Sequence, residues 1–173
     1  NGFHPSGFKN GPPSGFDGHP GGQVHIDANL PSRQSWVMSV NCAAATEYLN
    51  HLLPEALEWL RKMVAINSYT CNPEGVNRLA QLTAETFAPL GFVAEQIPST
   101  NPEYGMHLAL TRRGASGQSI ALVSHLDTVF PPEEEAANNF SWRVEGDRIY
   151  GPGTNDIKGG TLIMYMILDA IAT

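Results

Sequence analysis

Apolar side chains recur at helical spacing once the chain passes residue 48. Leu49, Leu52, Leu53, Leu57, Leu60, Met63 and Val64 fall at the i, i+3, i+4 and i+7 offsets of an amphipathic helix. Pro54 interrupts the run and predicts either a break or the first turn of a helix over 55–66. Beyond Asn72-Pro73-Glu74-Gly75, one face of a second helix is lined by Val76, Leu79, Ala80, Thr83, Phe87 and Leu90, and Gly91 is its stop. The period then changes. Residues 92–97 ("FVAEQI") and 106–113 ("MHLALTRR") read as strands, with "GASG" as the turn that follows.

The run "SIALVSHLDTV" at 119–129 is apolar almost without a gap up to Ser124. That pattern predicts a central strand covered on both faces. "WRVEGDRIYG" predicts a hairpin turning at Glu145-Gly146-Asp147, "GPGTNDIKGG" at 151–160 a glycine-rich loop, and "TLIMYMILDAIA" at 161–172 a helix apolar all round and therefore buried. Helices alternate with strands. The expected class is α/β, with a central mixed, mostly parallel sheet flanked by helices.

Residues 1–40 are different material. They are dense in Gly and Pro, repeat Pro-Ser-Gly-Phe at 5–8 and 13–16, and show no helical or strand period. Such a segment buries too little apolar surface to offset its ordering entropy, so a disordered tail or linker is expected over 1–40 and an ordered domain over 41–173. His4, His19 and His25 on that tail have no framework to fix a metal geometry. The chain starts at Asn1 and reaches Thr173 within a helical pattern, so both ends are expected to be cut.

Charge and cysteine content narrow the partners. A net charge of −7 argues against a nucleic-acid partner, which calls for a basic patch. Cys42 and Cys71 form no CxxC pair, hence no thiolate zinc site and no disulfide framework, and they do not fix the compartment. The most apolar run is broken by Asp169 and is too short for a membrane span.

Two polar constellations carry the chemistry. His125 and Asp127 end the 119–129 run at strand spacing i, i+2, which puts them on one face at the carboxyl end of a strand, where open α/β sheets bind ligands. An imidazole is a good zinc ligand, and a carboxylate beside it can fix its tautomer. A hydrogen-bonded pair that merely closes the strand has the same spacing. In 151–160, Gly151, Gly153, Gly159 and Gly160 surround Asp156 and precede a helix N-terminus. A phosphate loop is a further reading, but Lys158 comes before the paired glycines rather than after them. The triplet Glu133-Glu134-Glu135 reads as a solvated acidic turn in a proline-led loop, Trp36, Trp59 and Trp142 as packing residues, His51 and His107 as surface or capped histidines, and Cys71 as a small packed residue.

Taken together, "SHLDTV" at 124–129, "RVEGDRIYGPGTNDIKGG" at 143–160 and "LRKMVAINSYT" at 60–70 resemble the di-zinc aminoacylase and carboxypeptidase family of metallopeptidases. That family includes glutamate carboxypeptidase, acetylornithine deacetylase and succinyl-diaminopimelate desuccinylase. The 143–160 pattern is most like the glutamate carboxypeptidase branch. The resemblance covers roughly residues 50–173, the first part of a catalytic domain.

It implies an incomplete three-layer zinc-exopeptidase fold and hydrolysis of an amide bond, in a C-terminal peptide or an N-acyl amino acid, by a metal-activated water. It further implies two zinc ions, with cobalt or manganese as substitutes. His125 is then a metal ligand, Asp156 the carboxylate bridging both metals through a cis peptide bond to Ile157, and Asp127 the catalytic-site partner that orients His125. The family's general base, its remaining ligands and its lid domain, through which a homodimer would form, have no counterpart in this sequence. With two metal ligands against the three that a catalytic zinc requires, these residues alone are expected to be inactive. A metal-binding or assembly module of the same fold without catalysis is the alternative.

Overall fold

A computed structural model describes residues 42–115 and 117–172, all within one unit spanning Ser39–Thr173. The expected tail 1–40, with its histidines and Trp36, lies outside the described residues.

The first apolar stripe forms one helix, α1 (Cys42–Val64), which runs through Pro54. The expected break does not occur. The carbonyl that a proline ring frees is that of the residue four before it, here Asn50, which lies on an exposed turn where water can take it. Burial is confined to the part beyond the proline, at Ala56, Trp59, Leu60, Met63 and Val64. Helix α2 (Pro73–Phe87) follows the predicted limits. The Asn72 side chain accepts from the Gly75 N–H, Pro73 opens the first turn, and Val76, Leu79, Ala80, Thr83 and Phe87 are buried. A short 3₁₀ turn, Ala88–Leu90, ends at Gly91, whose φ of 82° is the left-handed stop that the sequence predicts.

The core lies where α1, α2 and α4 (Lys158–Ala172) meet. Trp59 stands edge-on to Phe87 with ring centroids 5.9 Å apart and packs on Tyr165 at 5.3 Å. Phe87 reaches Tyr165 at 5.5 Å and Phe92 at 5.8 Å. Each such pair adds about 0.5–1.5 kcal/mol beyond the area it buries. Trp142 packs against this core partly buried, as expected, while His51 and His107 are exposed.

The strands form two antiparallel hairpins. β1 (Val93–Ile97) pairs with β2 (His107–Thr111) from Val93↔Thr111 to Ile97↔His107. β3 (Arg143–Glu145) pairs with β4 (Arg148–Tyr150) around the predicted turn at Gly146, and the Arg143 guanidinium lies 4.7 Å above the Tyr150 ring.

The 119–127 run, expected as a central strand, is not a strand among the described residues. Its parallel pairing is limited to one bridge, Tyr69↔Thr128, closed by Thr70 N–H to Thr128 O at 3.0 Å and Thr128 N–H to Ser68 O at 2.8 Å. A strand exists only as part of a ladder, and no described strand pairs with 119–127. Ile120 and Val123 are accordingly 90% and 83% exposed rather than covered.

Helix α4 buries Lys158, Thr161 and Leu162, but Ile163, Ile167 and Ile171, spaced four apart, stay exposed along its other side. The acidic triplet lies in a short helix, α3 (Pro132–Asn138), instead of a loop. Proline in its first turn and three carboxylates at its N-terminus suit the helix dipole. Cys71 is exposed, not packed. No helix among the described residues is long and apolar enough to cross a membrane.

Candidate metal centre

The parallel bridge brings the α1–α2 connection against the end of the 119–128 run, and the site forms beside it. His125 and Asp127 lie close together there. The His125 Nδ1 is 3.0 Å from the backbone carbonyl of Asp127 and 3.4 Å from its carboxylate Oδ1. Its Nε2 is 3.1 Å from Asp156 Oδ1. Both ring nitrogens therefore face acceptor oxygens. A neutral imidazole has one N–H and can satisfy one of them. The other contact calls for a second proton or for a cation between Nε2 and Asp156. Burial alone would lower the His125 pKa, but the hydrogen bond to Asp156, the Asp127 carbonyl and the two carboxylate charges outweigh it and raise it above 6.5.

Asp127 is held from its other side. The Thr70 hydroxyl donates to Oδ2 at 2.6 Å, while Oδ1 is the oxygen turned toward His125. Ser124, just before His125, shares a 2.7 Å hydrogen bond with Thr161 of α4. Asn67 Nδ2 donates to the Phe130 carbonyl at 3.0 Å, tying down the segment after Asp127.

Asp156 sits on the 151–157 loop, its side chain 82% exposed, and the peptide bond from Asp156 to Ile157 is cis, as the resemblance implies. The loop is knotted to its own ends. Thr154 N–H and Oγ1 both donate to Gly151 O, and Lys158 N–H donates to Gly153 O at 2.8 Å. Close approach explains Gly159: a Cβ there would lie 2.3 Å from the Thr154 carbonyl oxygen.

The loop is anchored by Lys158, which is 1% exposed. Its ammonium donates to Met63 O and Ile66 O, each at 3.0 Å, and so caps the C-terminal end of α1. Burial lowers its pKa from 10.5 to about 8, opposed by the charge of Glu135. A cleft of about 280 Å³ opens between the two constellations, lined by His125, Asp127, Phe130, Gly153, Asn155 and Asp156 among others.

The donor set fits a divalent cation in kind: an imidazole nitrogen and a carboxylate oxygen face each other at a cleft, and a second carboxylate lies on the far side of the imidazole. It does not reach three donors, since no group of three His, Cys, Asp or Glu able to hold a metal occurs among the described residues. The three site residues expected from sequence are thus brought together, while the roles of Thr70 and Lys158 were missed. A threonine donor to Asp127 leaves no local pattern. A lysine directly before paired glycines at a helix start was visible, but its carbonyl partners were not.

Residues 121–173 match the model for Peptidase family M20/M25/M40. The match takes in less than a third of this chain. Carboxypeptidase G2 of Pseudomonas sp. (strain RS-16) is 32% identical over 111 residues, which cover 64% of this chain and 26% of that protein. Succinyl-diaminopimelate desuccinylase of Thioalkalivibrio sulfidiphilus (strain HL-EbGR7) is 28% identical over 120 residues, covering 68% and 30% respectively. Acetylornithine deacetylase of Edwardsiella ictaluri (strain 93-146) is 29% identical over 116 residues, covering 64% and 30%. The chain spans about a quarter to a third of the length of the curated relatives it matches. His125, Asp127 and Asp156 all lie within the matched stretch, whereas Thr70 lies before it.

Proposed function

We propose that these residues belong to a metal-dependent hydrolase of amide bonds that uses zinc. In this reading His125 is a ligand to one zinc, Asp156 bridges two, and Asp127 orients His125. The observation that carries it is the imidazole with acceptor oxygens at both nitrogens, one of them the Asp156 carboxylate at the cleft.

Divalent ions, when bound, supply Lewis-acid activation of water and of the scissile carbonyl. The protein's part is positional. Asp127 O and Oδ1 keep the proton of His125 on Nδ1, which leaves the Nε2 lone pair directed at the cleft. Asp156, on a loop tied at both ends, offers two oxygens to the same space. The names of the relatives, a carboxypeptidase, a desuccinylase and a deacetylase, share cleavage of an amide. The substrate class is therefore a C-terminal peptide bond or an N-acyl amino acid. The mostly parallel central sheet with the 119–127 run inside it, the ordered domain over 41–173 and a homodimer formed through a lid domain belong to the same reading.

The test is metal counting on the whole protein. A chelator is expected to abolish amidase activity and zinc to restore it. His125→Ala is expected to lose one zinc and Asp156→Asn to weaken both. Unchanged stoichiometry in both variants refutes the assignment, and stoichiometric zinc without hydrolysis of any peptide or acyl amino acid favours a non-catalytic metal-binding module.

A further inference from the structure

We infer that Thr70 is a positioning residue for the metal centre, acting through Asp127 on His125; the inference rests on the zinc reading above. Three observations lead to it.

The Thr70 hydroxyl donates to Asp127 Oδ2 at 2.6 Å, within the range of short, charge-assisted O–H···O⁻ bonds. Thr70 itself is fixed without that bond. Its N–H donates to Thr128 O at 3.0 Å, and Thr128 N–H returns to Ser68 O at 2.8 Å, so the backbone carrying the hydroxyl is registered against the backbone carrying Asp127. The two oxygens of Asp127 are divided between partners: Oδ2 takes Thr70, and Oδ1 lies 3.4 Å from His125 Nδ1.

An aspartate side chain has two free torsions, and the backbone of Asp127 fixes neither. With Oδ2 held, rotation about the last torsion is blocked and Oδ1 stays turned to the imidazole. With the hydroxyl removed, the half-exposed carboxylate can swing into solvent. His125 then keeps only the Asp127 backbone carbonyl to select its tautomer and orientation. The hydroxyl also lies 3.3 Å from Thr128 O, but it has one proton, and the shorter bond to a carboxylate takes it. Thr70 sits at the end of the α1–α2 connection, so this contact makes that connection part of the metal site.

Partners that orient a metal-bound histidine are typically worth about 10–100-fold in metal affinity. One step further out, the low end of that range, about 10-fold, is expected. The experiment measures zinc affinity of the whole protein by competition with a chromophoric chelator. The variants are Thr70→Val, Thr70→Ser, Asp127→Ala, the double variant Thr70→Val with Asp127→Ala, and His125→Ala. Valine keeps the shape and the backbone bonds, and serine keeps the hydroxyl.

The expected result is a roughly 10-fold loss for Thr70→Val, near-wild-type affinity for Thr70→Ser, and no further loss when Thr70→Val is added to Asp127→Ala. Wild-type affinity in Thr70→Val overturns the inference. So does an equal loss in the Asp127→Ala background, which would show that Thr70 acts through the bridge and not through the carboxylate. Should the valine variant not fold, Thr70→Ala is read in the same cycle; failure of both to fold assigns Thr70 to the scaffold and overturns the inference as well. Unchanged zinc affinity in His125→Ala would instead sink the underlying metal assignment, which keeps the two failures apart.

Discussion

Replacing Lys158 by methionine tests whether the loop that carries Asp156 is held to α1 by a buried ammonium. The side chain is 1% exposed and makes two hydrogen bonds at 3.0 Å to carbonyls at the end of α1. Hydrogen bonds to a charged group contribute about 1.5–3 kcal/mol each, and methionine, similar in length but without a donor, leaves both carbonyls unpaired. A loss of about 3 kcal/mol or more at neutral pH is expected.

The pH dependence supplies a second, independent reading. The Lys158 pKa falls from 10.5 in its ordinary state to about 8 in the folded chain. Between those values the unfolded chain holds the proton and the folded one has released it. Stability therefore rises with pH through that window, and the contribution is absent below the folded value. Between about pH 7 and about pH 9.5 the wild type gains about 2 kcal/mol from this group. The methionine variant cannot, so its deficit should widen by that amount, while every other titrating group cancels in the comparison. Urea unfolding of both proteins at the two pH values measures it. A deficit that is equal at both, or narrows at high pH, would refute the claim that burial lowers the pKa of this lysine.

Two further outcomes follow from the site. Zinc affinity should fall steeply as pH drops through the His125 pKa, which lies above 6.5, because the proton and the metal compete for Nε2; chelator competition across the acid range checks it, and a flat profile down to about pH 5 contradicts it. Gly159→Ala drives a methyl into the Thr154 carbonyl, which is backbone and cannot rotate away, so a cost of about 1–3 kcal/mol in thermal unfolding is expected, together with weaker zinc binding.

Elements whose signal is local were legible in the sequence. The α2 stripe with Asn72 before it and Gly91 after it defines that helix within a residue or two, and the Gly146 turn defines the second hairpin. His125, Asp127 and Asp156 could be singled out because polar groups among apolar and glycine-rich neighbours are conspicuous. What failed was decided by partners. The 119–127 run has strand composition, but a parallel strand needs paired neighbours, and among the described residues its pairing is limited to the bridge that Ser68–Thr70 makes with Thr128. The acidic triplet looked like a loop because its helix is short and has no buried face. Thr70 and Lys158 act on groups 57 and 92–95 residues away, a relation that no spacing rule contains.

Those separations decide when the site can exist. His125 and Asp156 are 31 residues apart, Thr70 and Asp127 57, and Lys158 reaches back 95 to Met63. In an unfolded coil the donors meet only after long loops have closed, at an entropic cost that a lone imidazole–carboxylate pair does not recover. Zinc should then bind the native chain and not its denatured ensemble, so binding and folding become a single equilibrium. At a free concentration a hundred times the dissociation constant, the ion would add about 2.7 kcal/mol to the stability of the native state. A melting temperature that climbs with zinc in the wild type and stays put in His125→Ala would display that linkage; a climb of equal size in both would place the stabilising ion elsewhere.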